Sequence, residues 1–365
     1  MSKLDELIAE LCPDGVEYRK LKDVTEMQRG TSLTKKNATE GIYPVISGGT
    51  EPAFYCDSYN RENETITVAG SGAGAGYVQY WNEPIFVCDA FSIKGKEGNL
   101  TKYIYYCLSN MQDKIFATKT GGGIPHVYIS SIENFVIPLP PLAVQQEIVR
   151  ILDNFTELTA ELTAELTSRR KQYEYYRNEI MQLKHWHYRK TITEMSLGDI
   201  YDFQYGKGNV IPTNGGEYPV YGSNGIVGTH FEYNSEDAPV IGHIGAYAGI
   251  VNWGYGKHFV TYNGVICKLK NNSVHSRYAY YLLLLQDFRA QAKSGSQPFV
   301  SYEILKKPRV LIPPLEEQKR IVAILDRFDA LCNDLTTGLP AEIEARQKQY
   351  EYYRDKLLSF KEVTA

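Results

Sequence analysis

Two stretches of this chain say nearly the same thing. Residues 140–155 read PPLAVQQEIVRILDNF and residues 313–328 read PPLEEQKRIVAILDRF. Some thirty residues into each run stands the same heptapeptide, KQYEYYR, at 171–177 and again at 348–354. Self-similarity on this scale fixes the architecture before any local motif is weighed.

The likeness continues outside these runs. Leu21-Lys22-Asp23-Val24 followed by Gly30 returns as Leu197-Gly198-Asp199-Ile200 followed by Gly206. Tyr43-Pro44-Val45 returns as Tyr218-Pro219-Val220, and Phe86-Val87 as Phe259-Val260. Lys102-Tyr103-Ile104-Tyr105-Tyr106 matches Arg277-Tyr278-Ala279-Tyr280-Tyr281, and Ile124-Pro125-His126-Val127 matches Gln297-Pro298-Phe299-Val300. The order is domain, helix, domain, helix. The boundaries this implies are a first domain at 1–141, a helical arm at 142–185, a second domain at 186–312 and a second arm at 313–365. The domains resemble each other thinly, so a shared fold with different contact surfaces is expected.

Each arm carries an apolar stripe at spacings of three and four. In the first it runs through Ile148, Leu152, Phe155, Leu158, Leu162 and Leu166, then resumes at Tyr173, Tyr176, Ile180 and Leu183. In the second it runs through Ile321, Leu325, Phe328, Leu331 and Leu335 to Tyr350, Tyr353 and Leu357. A narrow stripe suits helix pairing. Each arm could instead pack on its own domain. Pairing of the arms favours an antiparallel arrangement, because the second domain joins the end of one arm to the start of the other. Forty helical residues rise roughly 60 Å. Prolines just before each arm suit a helix start. Gly338-Leu339-Pro340 predicts a break in the second arm near Thr337.

The domains read as mixed and mostly β, giving an α+β chain. Runs such as 65–69, 77–80 and 85–87 alternate with Gly, Asn, Ser and Pro clusters. Residues 104–115 and 276–293 read as helical. With 365 residues there is room for two cores. Apolar content of 43% and charged content of 22% are ordinary for a globular protein. The six cysteines are scattered with no C-x-x-C pair, the pattern of reduced thiols in a cytoplasmic protein. The first residues lack an apolar signal segment.

Net charge is −4, which does not advertise a nucleic-acid binder. Residues 184–310 nevertheless hold 13 basic against 9 acidic groups, whereas residues 1–141 hold 13 against 17. A partner would then supply part of any phosphate neutralisation.

No catalytic constellation is evident. The run Gly70-Ser71-Gly72-Ala73-Gly74-Ala75-Gly76 lacks the following helix that a phosphate-cradling loop requires, and reads as a turn or strand crossing. Neither Asp-Pro-Pro-Tyr nor Asn-Pro-Pro-Tyr occurs, so an amino-methyltransferase centre is not expected. The histidines show no metal-ligand spacing; His185 and His187 flank Trp186 and read as solvated or interfacial. No metal site and no cofactor of its own are expected.

The PPLxxQxxIVxxLD openings, the KQYEYYR closings and the segment Leu11-Cys12-Pro13-Asp14-Gly15-Val16-Glu17-Tyr18 resemble the specificity subunits of type I restriction-modification systems, often called HsdS. The resemblance covers essentially the full chain. It implies two target-recognition domains, each reading half of a split DNA site, and an antiparallel helical spacer that fixes the gap. It implies two methyltransferase subunits that bind S-adenosylmethionine and methylate adenine. It also implies motor-nuclease subunits, with ATP and Mg on the partners and not on this chain. The chain itself would be non-catalytic.

Base reading calls for loop-borne cationic and amide groups. The candidates are Lys35, Lys36 and Lys119 in the first domain and Lys207, Asn224, His243, Lys293 and Gln297 in the second. The tyrosines Tyr173, Tyr175, Tyr176, Tyr350, Tyr352 and Tyr353 are more than a two-helix seam can hide and are candidates for docking the methyltransferase subunits. The rival reading is a protein-bridging adaptor that shares the arms and ignores DNA.

Overall fold

The computed structural model describes residues 2–121, 123–182, 191–293, 297–333 and 337–363. The chain forms two compact units, one of Met1–Thr163 with Glu342–Ala365, the other of Ala164–Ala341. Each unit therefore holds one globular domain together with a portion of both arms.

In the first unit, four antiparallel strands lie in the order Thr25–Arg29, Ala90–Gly95, Thr65–Ala69, Val78–Trp81. A second sheet has the order Phe54–Cys56, Tyr43–Ile46, Phe86–Val87, with the last pair parallel. In the second unit, one sheet of six strands runs Tyr201–Tyr205, Gly264–Leu269, Ser235–Gly242, Val251–Val260, Tyr218–Gly222, Gly225–His230. The order is the same in both. The difference lies in one strand: Val251–Val260 is continuous, whereas Val78–Trp81 and Phe86–Val87 are separated by Asn82-Glu83-Pro84-Ile85. Proline has no N–H to offer a ladder, so a strand through Pro84 is interrupted.

A helix covers each sheet, Thr101–Asn110 in the first unit and Ser276–Leu284 in the second. Tyr103, Ile104 and Leu108 are fully buried, as are Tyr278, Tyr281 and Leu283. The helix expected over 104–115 breaks at Met111 before resuming at Gln112–Phe116. The helix expected over 276–293 ends at Leu284; a separate turn, Phe288–Gln291, is capped by Asp287, whose carboxylate accepts from the Ala290 N–H at 2.9 Å. The glycine run at 70–76 is a turn that leads into a strand, as expected, with Gly72 and Gly76 at positive φ.

Two-stranded ribbons close each domain next to its arm: Glu17–Lys20 against Val136–Leu139, and Thr193–Ser196 against Arg309–Ile312. The first arm is a forty-residue helix, Leu142–Met181. The second is broken as the glycine and proline predict, into Leu315–Asn333 and Leu339–Leu357. Pro340 sits in the first turn of the latter, where its missing donor costs nothing. Leu183, His185, Trp186, His187 and Leu335 lie outside the described residues. Among the described residues, no helix is long and apolar enough to cross a membrane.

The repeated PPLxxQ motif rivets each arm to its own domain. Gln145 is buried; its Oε1 accepts from the Leu100 N–H at 3.0 Å and its Nε2 donates to the Pro140 carbonyl at 2.8 Å. Gln318 repeats this, accepting from the His275 N–H at 2.7 Å and donating to the Pro313 carbonyl at 2.8 Å. In both cases the accepting oxygen satisfies an N–H at the start of the covering helix. The motif's aspartate adds a second fastening. Asp153 pairs with Lys102 at 2.8 Å and accepts from Tyr106; Asp326 pairs with Arg277 at 2.7 Å and accepts from Tyr281.

These fastenings correct the expectation for the apolar stripes. Ile148 and Leu152 are fully buried among Tyr103, Leu108 and Ile137 of their own domain as well as against Leu358 of the second arm. Ile321 and Leu325 are buried with Tyr278, Tyr281 and Val310 of the second domain, and with Tyr173 of the first arm. The early part of each stripe thus serves its domain and a length of the other arm together. Farther along, Phe155 stacks on Tyr353 with centroids 5.4 Å apart, and Phe328 on Tyr176 at 6.4 Å.

Candidate nucleic-acid interface

At one end of the first unit's main sheet, three segments converge. The strand Thr25–Arg29 exits into Gly30-Thr31, whose N–H groups donate to the Ala90 and Val87 carbonyls, each at 2.9 Å. A side chain at Gly30 would strike the Cys88 carbonyl oxygen at 2.2 Å, which is why the close approach needs glycine. The Leu33 N–H donates to Cys88 Sγ at 3.3 Å, and the loop carrying Lys35 and Lys36 follows. The strand Thr65–Ala69 exits into the glycine-rich turn. Thr120 and His126 pair, with the His126 N–H on the Thr120 carbonyl at 2.8 Å, and the Gly72 N–H on the Pro125 carbonyl at 3.0 Å ties this pair to that turn.

The second unit builds the same end from different residues. The Gly206 and Lys207 N–H groups donate to the Gly264 and Val260 carbonyls at 2.9 and 3.0 Å. Lys293 and Phe299 pair through their backbones, and the Gly245 N–H donates to the neighbouring Pro298 carbonyl at 2.8 Å. The turn at Ser223-Asn224 approaches the end of Ser235–Gly242, where a Cβ on Gly242 would stand 2.5 Å from the Ser223 carbonyl oxygen.

Most of the sequence candidates fall on these loops. Lys35, Lys36, Lys207, Asn224, Lys293 and Gln297 are exposed. Lys119 is half-buried beside the Thr120–His126 pair, with Nζ 4.1 Å from the Phe116 ring centroid. His243 is different. It is 6% exposed, its ring lies 4.2 Å from that of Tyr205, and its Nδ1 is 3.2 Å from the Tyr262 carbonyl oxygen. Its ring belongs to an aromatic plug completed by Tyr302, stacked on Tyr205 at 4.1 Å. The expected loop contact at His243 is therefore a support beneath the loops and not part of their exposed surface.

Sequence reading missed the floor beneath the first domain's loops. Where the second domain has its plug, the first has a cavity of about 250 Å³ lined by Arg29, Asp89, Tyr128 and Ser130. It also missed a clip common to both domains. Asn60 donates to the Val87 carbonyl at 2.9 Å and accepts its N–H at 2.7 Å; Asn234 does the same to Val260 at the same two distances. The repeated dipeptides Tyr59-Asn60 and Tyr233-Asn234 carried that signal.

The arm tyrosines divide by burial. Tyr173 is only 5% exposed and sits in the second unit's core, where burial pushes its phenol well above the usual range. Tyr350 packs partly buried against the first unit's core. Tyr173 is an interior residue, which corrects its assignment to a partner surface; Tyr350 is half-buried and keeps part of its ring at the surface. Tyr175, Tyr176, Tyr352 and Tyr353 are exposed. Each adjacent pair meets edge to face with centroids 5.4 Å apart.

Residues 13–169 and 189–345 each match the type I restriction modification DNA specificity domain. The chain belongs to the family of type I restriction-modification specificity subunits. The specificity subunit of the EcoR124I/EcoR124II restriction enzyme of Escherichia coli is 29% identical, with 99% of this chain and 97% of that one covered. A Haemophilus influenzae protein assigned to the same subunit class is 31% identical over 94% of this chain and 96% of its own. Among solved structures, the S subunit of a type I system from M. genitalium superposes with a TM-score of 0.67 at 22% identity, covering 94% of this chain and 96% of that one. A chain from a study of complex assembly in the type I system gives 0.57 at 16% identity, covering 95% and 98%. These two likenesses concern the fold.

Proposed function

We propose that this specificity subunit reads a bipartite, asymmetric DNA site, one half through each domain, and holds two methyltransferase subunits to it. What carries this reading is a single contrast: two domains of the same strand order end in loops of different chemistry. Like frames with unlike loops suit two half-sites of different sequence.

The arms act as a ruler in this reading. Phe155 on Tyr353 in one unit and Tyr176 on Phe328 in the other are what two antiparallel arms would give, since the partner residue number falls as the first rises. A rigid spacer admits only half-sites whose separation and rotation match it, because the duplex repeats every 34–36 Å or so. The exposed pairs Tyr175-Tyr176 and Tyr352-Tyr353 would each receive a methyltransferase subunit. Those subunits would carry S-adenosylmethionine, and motor-nuclease subunits would use ATP and Mg. Lys35, Lys36, Lys119, Lys207 and Lys293 would meet phosphates or base edges, with Asn224 and Gln297 offering amides.

The test is a methylation map made with the reconstituted complex. A split motif with a fixed gap is expected; exchanging residues 186–312 for those of a relative should change one half and leave the other. Inserting a helical turn into each arm should alter the gap. A complex that methylates without sequence preference, or that fails to retard any duplex in a gel, would leave the bridging adaptor as the better account.

A further inference from the structure

The cavity in the first domain is the clearest difference between two otherwise matching frames. Strand register sets the correspondence. Arg29 pairs with Phe91 and Tyr205 with Val265, so Arg29 and Tyr205 hold the same place at the end of the same strand. The Val127 N–H donates to the Gly70 carbonyl, and the Val300 N–H to the His243 carbonyl, so Gly70 stands where His243 does. By the same count Ile129 stands where Tyr302 does, and Asp89 where Asn263 does. The three rings that fill the second domain are thus replaced by a guanidinium, a glycine and an isoleucine. The space they would occupy remains as a cavity of about 250 Å³ with Arg29 and Asp89 in its wall.

Both charged groups are held but not used up. The Arg29 backbone carbonyl accepts from Arg61 Nη2 at 3.1 Å, and Arg61 Nε donates to Ser92 Oγ at 2.7 Å, which fixes the strand end. Among the described residues, no side chain pairs with the Arg29 guanidinium. Ser71 Oγ donates to Asp89 Oδ2, which orients the carboxylate while leaving Oδ1 able to accept another hydrogen bond. An exposed cationic fork and an oriented carboxylate face one concavity at the loop end of the sheet.

We infer that Arg29 and Asp89 together read one G·C pair in the half-site taken by the first domain. This rests on the DNA-reading function proposed above. A guanidinium donates two parallel hydrogen bonds to guanine O6 and N7, and a carboxylate accepts from the N4 amino group of the paired cytosine. All of these groups lie along the major-groove edge of one base pair. An A·T pair offers adenine's amino group where Arg29 needs an acceptor, and thymine's O4 where Asp89 needs a donor. Arg61 and Ser71 are positioning residues. The second domain has Tyr205 and Asn263 at these places and cannot read a base in this way.

The experiment uses the full chain reconstituted with its methyltransferase subunits. Binding and methylation are measured on duplexes carrying each base at each motif position, with the first domain's half assigned by domain exchange. The wild type should require a G·C pair at one position of that half. Arg29→Ala and Asp89→Ala should both relax that same position, reducing discrimination about 10- to 100-fold, and leave the other half unchanged. Arg29→Gln keeps a polar side chain of similar reach and loses the guanidinium fork, so it should relax the position as well. This milder variant decides the matter if either alanine variant fails to fold by thermal melting. A first half-site with no G·C pair would overturn the inference. So would an unchanged motif beside uniformly weakened binding with Arg29→Gln or Arg29→Ala, which would make Arg29 a phosphate contact. Either result leaves the DNA-reading function standing, whereas a wild-type complex with no sequence preference would remove both.

Discussion

Gln318 Oε1 accepts the His275 backbone N–H at 2.7 Å, joining the first turn of the second arm to the first turn of the helix that covers the second domain. Its own Nε2 reaches back to the Pro313 carbonyl at 2.8 Å and to the Ser273 carbonyl at 3.0 Å. The glutamine is buried, so none of these groups has water as a substitute. Gln318→Ala should therefore destabilise the protein by about 1–3 kcal/mol, and Gln145→Ala by a similar amount. Denaturant melts would measure the loss. Amide exchange should quicken first at the start of the helix Ser276–Leu284 in the former and of Thr101–Asn110 in the latter.

The ion pairs in the arms should differ sharply in worth. Arg277 is sandwiched over Trp253, with its guanidinium 4.7 Å from that ring centroid, and is only 15% exposed on the side chain while it pairs with Asp326. Asp326→Ala leaves the cation enclosed with Asp329 alone and is expected to cost about 1–3 kcal/mol, reduced from the fully buried case because Asp326 itself is partly exposed. Glu344→Ala breaks an open pair with Lys348 and is expected to change the urea midpoint little.

Acid should loosen the first arm's start. The Glu147 side chain is 3% exposed and lies between Arg150 at 2.6 Å and Lys3 at 2.9 Å. Hydrogen bonds from Arg150, then from Lys3, outweigh burial and lower its carboxyl from 4.5 to about 2. A folded-state value below the unfolded one means the stabilisation is fully present above pH 4.5 and is lost as pH falls towards 2. Comparing Glu147→Gln with wild type across that window, the difference in melting temperature should shrink as the pH drops. A constant difference would contradict the assignment.

The tyrosines of one heptapeptide should separate into two phenotypes. Tyr173→Ala empties a core position and is expected to cost about 3–5 kcal/mol. Tyr175 is 62% exposed, so Tyr175→Ala should leave melting of the isolated chain nearly unchanged while weakening recovery of the methyltransferase subunit on an affinity column. Loss of folding with retained assembly would reverse these roles.

Much of the fold was legible because duplicated residues do duplicated work. Gln145 and Gln318, Asp153 and Asp326, and the proline pairs before each arm announced two arms of one kind, although a helical period alone could not say whether a stripe faces another arm or its own domain, and nothing in the motif showed that its glutamine and aspartate fasten arm to domain. Ile148 and Ile321 do both. The break at Gly338 and the turn at 70–76 followed from backbone chemistry. The interface was legible only in outline. Lysines on glycine-bearing loops stand out, but Arg29 ends a strand and carries no loop signal, while His243 looked like a loop residue because the rings that enclose it, Tyr205 and Tyr302, are distant in sequence. Such enclosure is a property of tertiary packing and leaves no local trace.

The fastenings at the base of each arm also limit which replacement modules the chain can accept. Each arm presents a glutamine and an aspartate; the incoming module must answer with a free N–H at the head of its covering helix, a basic side chain near it and a tyrosine one turn on, as Lys102 with Tyr106 and Arg277 with Tyr281 do. A graft lacking these three receptors would be tethered by its backbone yet left to swivel, and under the proposed function the gap it could tolerate between half-sites would blur.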